Sequence, residues 1–312
     1  IRYAMIDGNN IMVANEFMST LLNKLVKSVV HTKMFSNPLK GLKKGTKPLG
    51  DTIEEIYNNF LKGVQYDGKT AGGTLLERNL PDTKTVYHRM NYQLQYPVTV
   101  SREQLSKAFA SYNALESYIT GIINSLYNSA ELDEFANMKQ LLKSALDKGA
   151  LKKIHVEDPT VSDAKGKKFI KEVETTSDLM TFPSDQFNGY LAVQETDEKP
   201  IVTFSRKSEQ ILIIDTATNV SLNVDVLASL FNMSVAEFND TKKIVIDTFP
   251  DANVRACLVD EAFFQIYDDL FTITSFYNGQ GLYTNYYLNV WQTQAYSVLV
   301  NGVAFTTEVI GG

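Results

Sequence analysis

The clearest pattern in the chain is a strict alternation of side-chain faces over residues 83–100, TKTVYHRMNYQLQYPVTV. One face is largely apolar and the other largely polar, which is typical of a β-strand. Such a strand would reach roughly 50 Å or more at about 3.3 Å per residue, whereas ordinary strands span about 17–20 Å. We predict that it pairs with residues 52–61, across a glycine-rich tip, to form an extended two-stranded arm over residues 48–100. Because an isolated hairpin is marginal in water, this arm should rest on something outside its own domain.

Spacings of three and four residues predict two amphipathic helices in the first half of the chain. The first covers residues 17–34. The second covers residues 113–148 and stops at Gly149, with a length of about 54 Å at 1.5 Å per residue. We interpret its aromatic and methionine positions as core packing. The spacing of a capping box in Ser101–Gln104 predicts a further short helix between the arm and the long helix.

The second half of the chain alternates between short elements. A helix is predicted near residues 164–180 and another over 224–231. Short apolar runs predict strands, namely IVTFS at 201–205, QILIID at 210–215, KIVID at 243–247 and ACLVD at 256–260. Together they indicate a mixed sheet flanked by helices in a second domain of about 110 residues. Residues 281–307 form another aromatic, β-branched region, which should return to the first domain or pair with the arm.

Composition and charge narrow the class of protein. With 312 residues, 44% of them hydrophobic, the chain can bury the core of one large or two medium domains. The net charge is −6, yet residues 17–50 hold seven lysines and no acidic residue. No apolar run approaches the length of a membrane span. The single cysteine, Cys257, excludes an intrachain disulfide and favours a reducing cytoplasm; we expect it to be buried.

Candidate catalytic chemistry is sparse. The basic linker, residues 37–50, superficially resembles a phosphate-binding loop, but its glycine spacing and its Gly-Thr-Lys order are wrong for one. None of the three histidines has a histidine or cysteine at metal-ligand spacing. Asp215, in IIDTA, faintly resembles an aspartic-protease loop, but Ala217 stands where that loop has glycine and no second copy appears. Asp268 and Asp269 could bind a cation, and we interpret them as solvated carboxylates. The sequence therefore predicts no enzyme, no cofactor and no metal, with an Asp215- and Asp268-dependent hydrolase as a remote alternative.

Four segments carry a resemblance to a known family, and they lie in one order between about residues 36 and 305. They are NPLKGLKKG with PLGDTIEEIY, then LESYITGIINSLYNSAELDEFANMK, then LNVDVLASLFNM, and finally GLYTNYYLNVWQT. On these segments the chain resembles the major capsid (head) proteins of phi29-like short-tailed phages of Gram-positive bacteria, whose shells have the Hong Kong 97 (HK97) type fold.

The resemblance implies an α+β, HK97-like fold with four parts. These are a basic amino-terminal arm (1–47), an extended loop lying across a neighbouring subunit (48–100), a peripheral domain with the long spine helix (101–159 and 271–312) and a mixed α/β axial domain (160–270). The extended loop would be the two-stranded arm predicted above. Contacts between subunits are then expected from the arm and loop, at Lys40, Lys43, Lys44, Lys47, Tyr57, Arg78, Met90, Tyr92 and Leu94.

The implied function is that of a major capsid protein. It would self-assemble as pentamers and hexamers into an icosahedral or elongated shell, guided by a scaffolding protein and a portal, and enclose double-stranded DNA without sequence specificity. It would be found in the virion after assembly in the host cytoplasm, with no membrane contact. A cellular encapsulin compartment is the rival on this fold. Two family features are not expected here: an immunoglobulin-like domain, since the chain ends at Gly312, and a covalent cross-link, although Lys69 lies near the loop tip.

Overall fold

The computed structural model describes residues 35–63, 78–101, 112–193, 199–222 and 243–309. Four predictions fall outside these residues: the helix over 17–34, the glycine-rich loop tip, the short helix after Ser101 and the helix over 224–231. The chain divides into two compact units. The first contains the residues up to Asp51 together with Met90–Met138 and Ile266–Gln294, and the second contains Thr52–Arg89, Lys139–Gln265 and the residues from Ala295 onward.

The first unit is built on a four-stranded sheet in the order β1-β9-β10-β4. These strands are β1 (Lys43–Thr46), β4 (Tyr92–Ser101), β9 (Phe264–Asn278) and β10 (Tyr283–Tyr296). β1 runs parallel to β9. β10 and β4 are antiparallel and stay in register from the Tyr283–Ser101 pair to the Gln292–Tyr92 pair, so the carboxy-terminal strand region pairs with residues that the sequence assigned to the arm.

The long helix predicted over 113–148 is confirmed as α1, Tyr112–Asp147. Gly149, at φ 73°, follows it in the left-handed conformation that commonly ends a helix. In the first unit α1 packs on the sheet in one apolar cluster, which we call the sheet–helix core. Its members are Tyr92, Leu126, Ala130, Leu288 and Val290, with Leu94, Tyr96, Val98, Ile122 and Ile273 packed against them.

The continuous strand predicted over 83–100 is wrong. It is two strands, β3 (Thr83–His88) and β4, separated at residues 89–91. β3 pairs with β2 (Ile53–Asn58) as an antiparallel hairpin, as predicted for that part, but β4 pairs with β10. At the break the Asn91 side chain exchanges hydrogen bonds with the Gln294 backbone, donating to its oxygen at 2.8 Å and accepting from its nitrogen at 2.9 Å. The alternation continues across the break because both strands bury their even-numbered side chains, although each strand pairs with a different partner.

The second unit contains the β2–β3 hairpin and a five-stranded sheet in the order β5-β11-β8-β6-β7. The strands are β5 (Lys152–His155), β6 (Gln210–Asp215), β7 (Lys243–Ile246), β8 (Val254–Asp260) and β11 (Gly302–Thr306). Helix α2 (Asp163–Leu179) packs Phe169, Ile170 and Val173 against Leu212, Leu258 and Phe305 of this sheet. Two short helices also belong to this unit, α3 (Tyr190–Val193) and α4 (Thr216–Ser221).

Most of the short elements predicted for this unit are confirmed, because β6, β7, β8 and α2 lie where the apolar runs placed them. The strand predicted at 201–205 is wrong. Thr203 forms a single β-bridge with Ser184, so the segment alternates in burial without joining a ladder. The mixture of helices and strands, with both parallel and antiparallel strand pairs, confirms the α+β class.

Candidate functional site

The basic linker is held on the first unit by its apolar residues. A short 3-10 turn, Pro38–Leu42, begins after Asn37, whose side-chain oxygen accepts a hydrogen bond from the Leu39 backbone at 2.9 Å. Leu39 and Leu42 are buried. The proline suits the first position of such a turn, since its fixed φ is helical and no backbone donor is lost. The lysines that follow are therefore presented from an anchored segment.

Three of the four lysines predicted to contact other subunits pair with acids of their own chain. The Lys40 ammonium lies 2.6 Å from Glu131, and Lys43 lies 3.2 Å from Glu134 and 2.7 Å from Asp268. Lys47 forms an ion pair with Asp269, the carboxylate next to Asp268. Burial alone would lower the pKa of Lys40, but the hydrogen bond and charge of Glu131 outweigh it and raise the pKa.

The acidic partners of these lysines were missed in the sequence. Glu131 and Glu134 are three residues apart on α1, so they lie on one face of the helix, and Lys40 and Lys43 are also three residues apart. This matched spacing of two lysines and two glutamates was the signal in the sequence that could have indicated their pairing. Lys44, the fourth lysine, is exposed. Contacts between these lysines and a second subunit stay a prediction.

The β2–β3 hairpin is anchored to residues 200–204 of the second unit. The Tyr57 hydroxyl donates to the Val202 carbonyl oxygen, and the Asn59 amide donates to the Pro200 carbonyl oxygen at 3.0 Å. The Phe60 and Phe204 rings stack with their centroids 6.3 Å apart. Burial raises the pKa of Tyr57. The base of the predicted arm thus contacts residues 200–204, outside the arm itself but in the same chain. Contact of the arm with a neighbouring subunit stays a prediction.

Exposed apolar side chains lie on the β2–β3 hairpin and just beyond its strands. Ile56, on β2, keeps 60% of its surface exposed, while Leu61, three residues after β2, and Leu80, three residues before β3, keep 78% and 82%. Arg78, two residues before Leu80, is also exposed. We call Ile56, Leu61, Arg78 and Leu80 the hairpin surface. Its large apolar side chains are available to a second protein surface.

The third group of predicted contact residues lies elsewhere. Tyr92 retains 7% of its surface and Leu94 packs beside it, both in the sheet–helix core, while Met90 is half-buried. Tyr92 and Leu94 thus contribute to the subunit's own core, and their contacts with a second subunit stay a prediction. The cause is the change of partner at residues 89–91, which turns β4 from an arm strand into a sheet strand. The role of Met90 between subunits stays a prediction.

The two aspartates considered for hydrolysis are occupied by structural contacts. Asp215 caps α4 by accepting from the Thr218 backbone at 2.7 Å, and Arg255 lies 3.5 Å from its other oxygen. Asp268 accepts from Gln292 at 2.7 Å in addition to pairing with Lys43. Among the described residues no three His, Cys, Asp or Glu side chains converge as a metal site would require. None of the helices in the described part of the chain combines the length and apolar character needed to cross a membrane.

Comparison with known proteins supplies the context for these contacts. The model of the Phi29-like phage major capsid protein family matches residues 5–306. The major capsid proteins of Bacillus phages PZA and B103 are each 37% identical over 298 residues, which is 96% of this chain, and the chain spans 65% of the length of these relatives. A chain of the capsid structure of Staphylococcus phage Andhra superposes with a TM-score of 0.72 at 13% identity, covering 90% of this chain and 87% of the other. The fold is therefore the HK97-like fold of phage capsids, as expected.

Proposed function

The chain belongs to the Phi29-like phage major capsid protein family, and on this premise we propose that it is the repeating subunit of a closed phage head. Pentamers and hexamers of the chain would form an icosahedral or elongated shell. The observation that supports this most strongly is the family match, which runs through nearly all of the chain rather than through one motif.

The proposal gives the chain a structural role, without catalysis. Its polar side chains support this interpretation, because the buried Asp215 and the partly exposed Asp268 and Arg255 are used in caps and ion pairs. An Asp-dependent hydrolase would need carboxylates that are accessible to a substrate. The encapsulin alternative shares the fold, but relatives at 37% identity over 96% of the chain are phage major capsid proteins. The viral shell is therefore favoured.

We propose the partners and location that follow from such a shell. A scaffolding protein and a portal would direct assembly in the host bacterial cytoplasm, and the finished virion would enclose double-stranded DNA without sequence specificity. The net charge of −6 is consistent with DNA that is enclosed without being held tightly, since a strongly basic protein would bind its phosphates strongly.

We propose that the region 48–100 reaches a neighbouring subunit through the hairpin surface and the loop beyond it. Exposed apolar side chains such as Leu61 and Leu80 support this, because they are more stable when covered. Arg78, with five donors in a planar fork, could pair with a carboxylate of the neighbour. The basic linker would carry the amino-terminal arm. We retain the peripheral (101–159, 271–312) and axial (160–270) domains as the proposed anatomy.

Expression of the chain with a scaffolding protein of a close relative tests the proposal. Negative-stain electron microscopy and sedimentation are expected to show shells or capsomers of many copies. A mixture that contains only monomers at high protein concentration, with native circular dichroism, would contradict the proposed function. Replacing Leu61 and Leu80 together by serine should abolish particles and leave the subunit folded, and replacing Val220, which is 79% exposed elsewhere, supplies the matched control.

A further inference from the structure

We propose that Glu134 positions the basic linker on its subunit and thereby fixes the place of Asn37, at which the linker begins. This proposal rests on the proposed function only in that the linker would join the arm of a shell subunit to its body.

Glu134 lies on α1 and is 6% exposed. One of its carboxylate oxygens accepts from the Asn37 side-chain amide at 3.2 Å. The other accepts from Lys43 at 3.2 Å and from the Gln292 side chain at 2.8 Å. Two of these donors belong to the linker and one to β10, so this single side chain joins three segments that are far apart in sequence.

Only a group that accepts and never donates fits this position. Asn37, Lys43 and Gln292 all present N–H groups to Glu134, and a carboxylate has about four acceptor sites and no donor. A neutral amide of the same shape would turn its NH₂ toward at least one of these donors. The three hydrogen bonds therefore require a carboxylate, and a neutral polar side chain of the same volume could not form all of them.

The side chains around Glu134 connect it to Lys43 of the linker in particular. Gln292 also donates to Asp268 at 2.7 Å, and Lys43 lies 2.7 Å from the same carboxylate. Lys43 is thus shared by two carboxylates, at a position where its side chain is 14% exposed. Leu39 and Leu42 supply apolar burial, which is non-directional. The charged hydrogen bonds to Glu134 instead define which linker residue lies opposite which part of α1.

The neighbouring pair of Lys40 with Glu131 is a natural comparison. It has the same residue types on the same two segments, but the Lys40 side chain is 55% exposed. Exposed ion pairs are screened by water and salt and contribute little. Glu131 also accepts a hydrogen bond from the Asn37 backbone at 3.2 Å, and a glutamine at this position keeps one oxygen that can still accept it. We therefore expect Glu131→Gln to release the linker weakly and Glu134→Gln to release it strongly.

The test is limited trypsin digestion of the unassembled full chain, followed by mass spectrometry of the early fragments. Trypsin can cut after Lys40 or Lys43 only when the linker leaves α1 and β1 leaves β9, so the cleavage rate at these two lysines reports local release. We expect Glu134→Gln to raise cleavage in the linker at least about tenfold. Glu131→Gln should stay within about twofold of the parent chain. Cleavage after Lys167 or Lys171 on α2 should be unchanged in both variants.

Parent-like protection of the linker in Glu134→Gln would overturn the proposal. Equal release by Glu131→Gln would also overturn it, as would a parallel rise of cleavage in α2, which would indicate general destabilisation. If Glu134→Gln does not fold, Lys43→Met decides the matter: release of the linker supports the proposal and protection overturns it. Digestion requires no assembly, so its outcome is distinguishable from failure of the proposed shell function.

Discussion

Replacing Tyr92 by alanine separates a core role from an interface role for the strand region 83–100. The alternating pattern places Tyr92 on the apolar face of the predicted arm, where it would be buried only between subunits. In the structure it is 7% exposed within one chain and contacts the sheet–helix core. The two interpretations predict different stabilities for the free subunit.

The expected cost follows from this burial. Truncation of a large buried aromatic side chain to alanine typically costs about 3–5 kcal/mol, because apolar contacts are lost and a cavity remains. Tyr92 packs against Leu126 and Leu288, which are nearly fully buried, so little collapse can fill the space. We expect a loss of about 3 kcal/mol, a large part of the roughly 5–15 kcal/mol that stabilises a typical domain.

The assay is urea unfolding of the unassembled subunit, followed by fluorescence and far-ultraviolet circular dichroism. Trp291 is the only tryptophan and lies on β10, in the same unit as Tyr92, so its fluorescence reports on this core. Tyr87→Ala is the matched control. Tyr87 belongs to the same alternating segment but is 61% exposed, and its hydroxyl donates to Glu54 at 2.9 Å. Its loss should change stability by no more than about 0.5 kcal/mol.

A free subunit of Tyr92→Ala that unfolds at the same urea concentration as the parent would refute the reasoning. So would equal effects of the two tyrosine substitutions. Either result would mean that Tyr92 is not part of a packed subunit core in solution.

Three further predictions follow from burial and charge. Replacing residues 63–80 by a short turn should leave a soluble chain with native-like circular dichroism that forms no closed shells in negative stain, whereas Leu126→Asp should aggregate; normal particles from the shortened chain would contradict this. Cys257 is fully buried, and because burial raises the pKa of its thiol, maleimide should label it only in denaturant, so rapid labelling of the native chain would count against the fold. Burial, aided by the Glu209 and Glu261 charges, raises the pKa of Asp260. The native state therefore binds this proton more tightly than the unfolded chain, and the contribution of Asp260 to stability declines as the pH rises above about 4. Asp260→Asn, which can still accept from the Ala262 backbone, should raise the melting temperature more at pH 7 than at pH 4, and an equal shift would contradict the assignment.

The two long periodic segments, residues 113–148 and 83–100, show what the local pattern of apolar residues can and cannot predict. The three-and-four spacing over 113–148 predicted α1 almost to the residue, because a helix long enough to repeat its apolar face many times leaves no competing interpretation. The alternation over 83–100 likewise predicted the faces of β3 and β4. It could not show that the strand changes partners at residues 89–91, since period two reports which face is buried and not which strand lies alongside.

The ion pairs of the candidate site could not be predicted from local pattern. Lys40, Lys43 and Lys47 were recognised as a basic cluster, but their acidic partners lie 91 to 225 residues away, on α1 and β9. A run of lysines in a sequence predicts attraction to some negative charge and cannot identify it, because an ion pair depends on distance in space.

The sequence by itself determined the α+β composition, the long helix, the faces of the strands and, through extended similarity, membership of a capsid family. These properties depend on local periodicity or on inheritance, and both are written along the chain. Tertiary structure alone decided that β4 pairs with β10, that Tyr92 belongs to the core and that Glu134 gathers Asn37, Lys43 and Gln292. These contacts join segments far apart in sequence, and their free energy exists only once folding has brought the segments together and excluded water from between them.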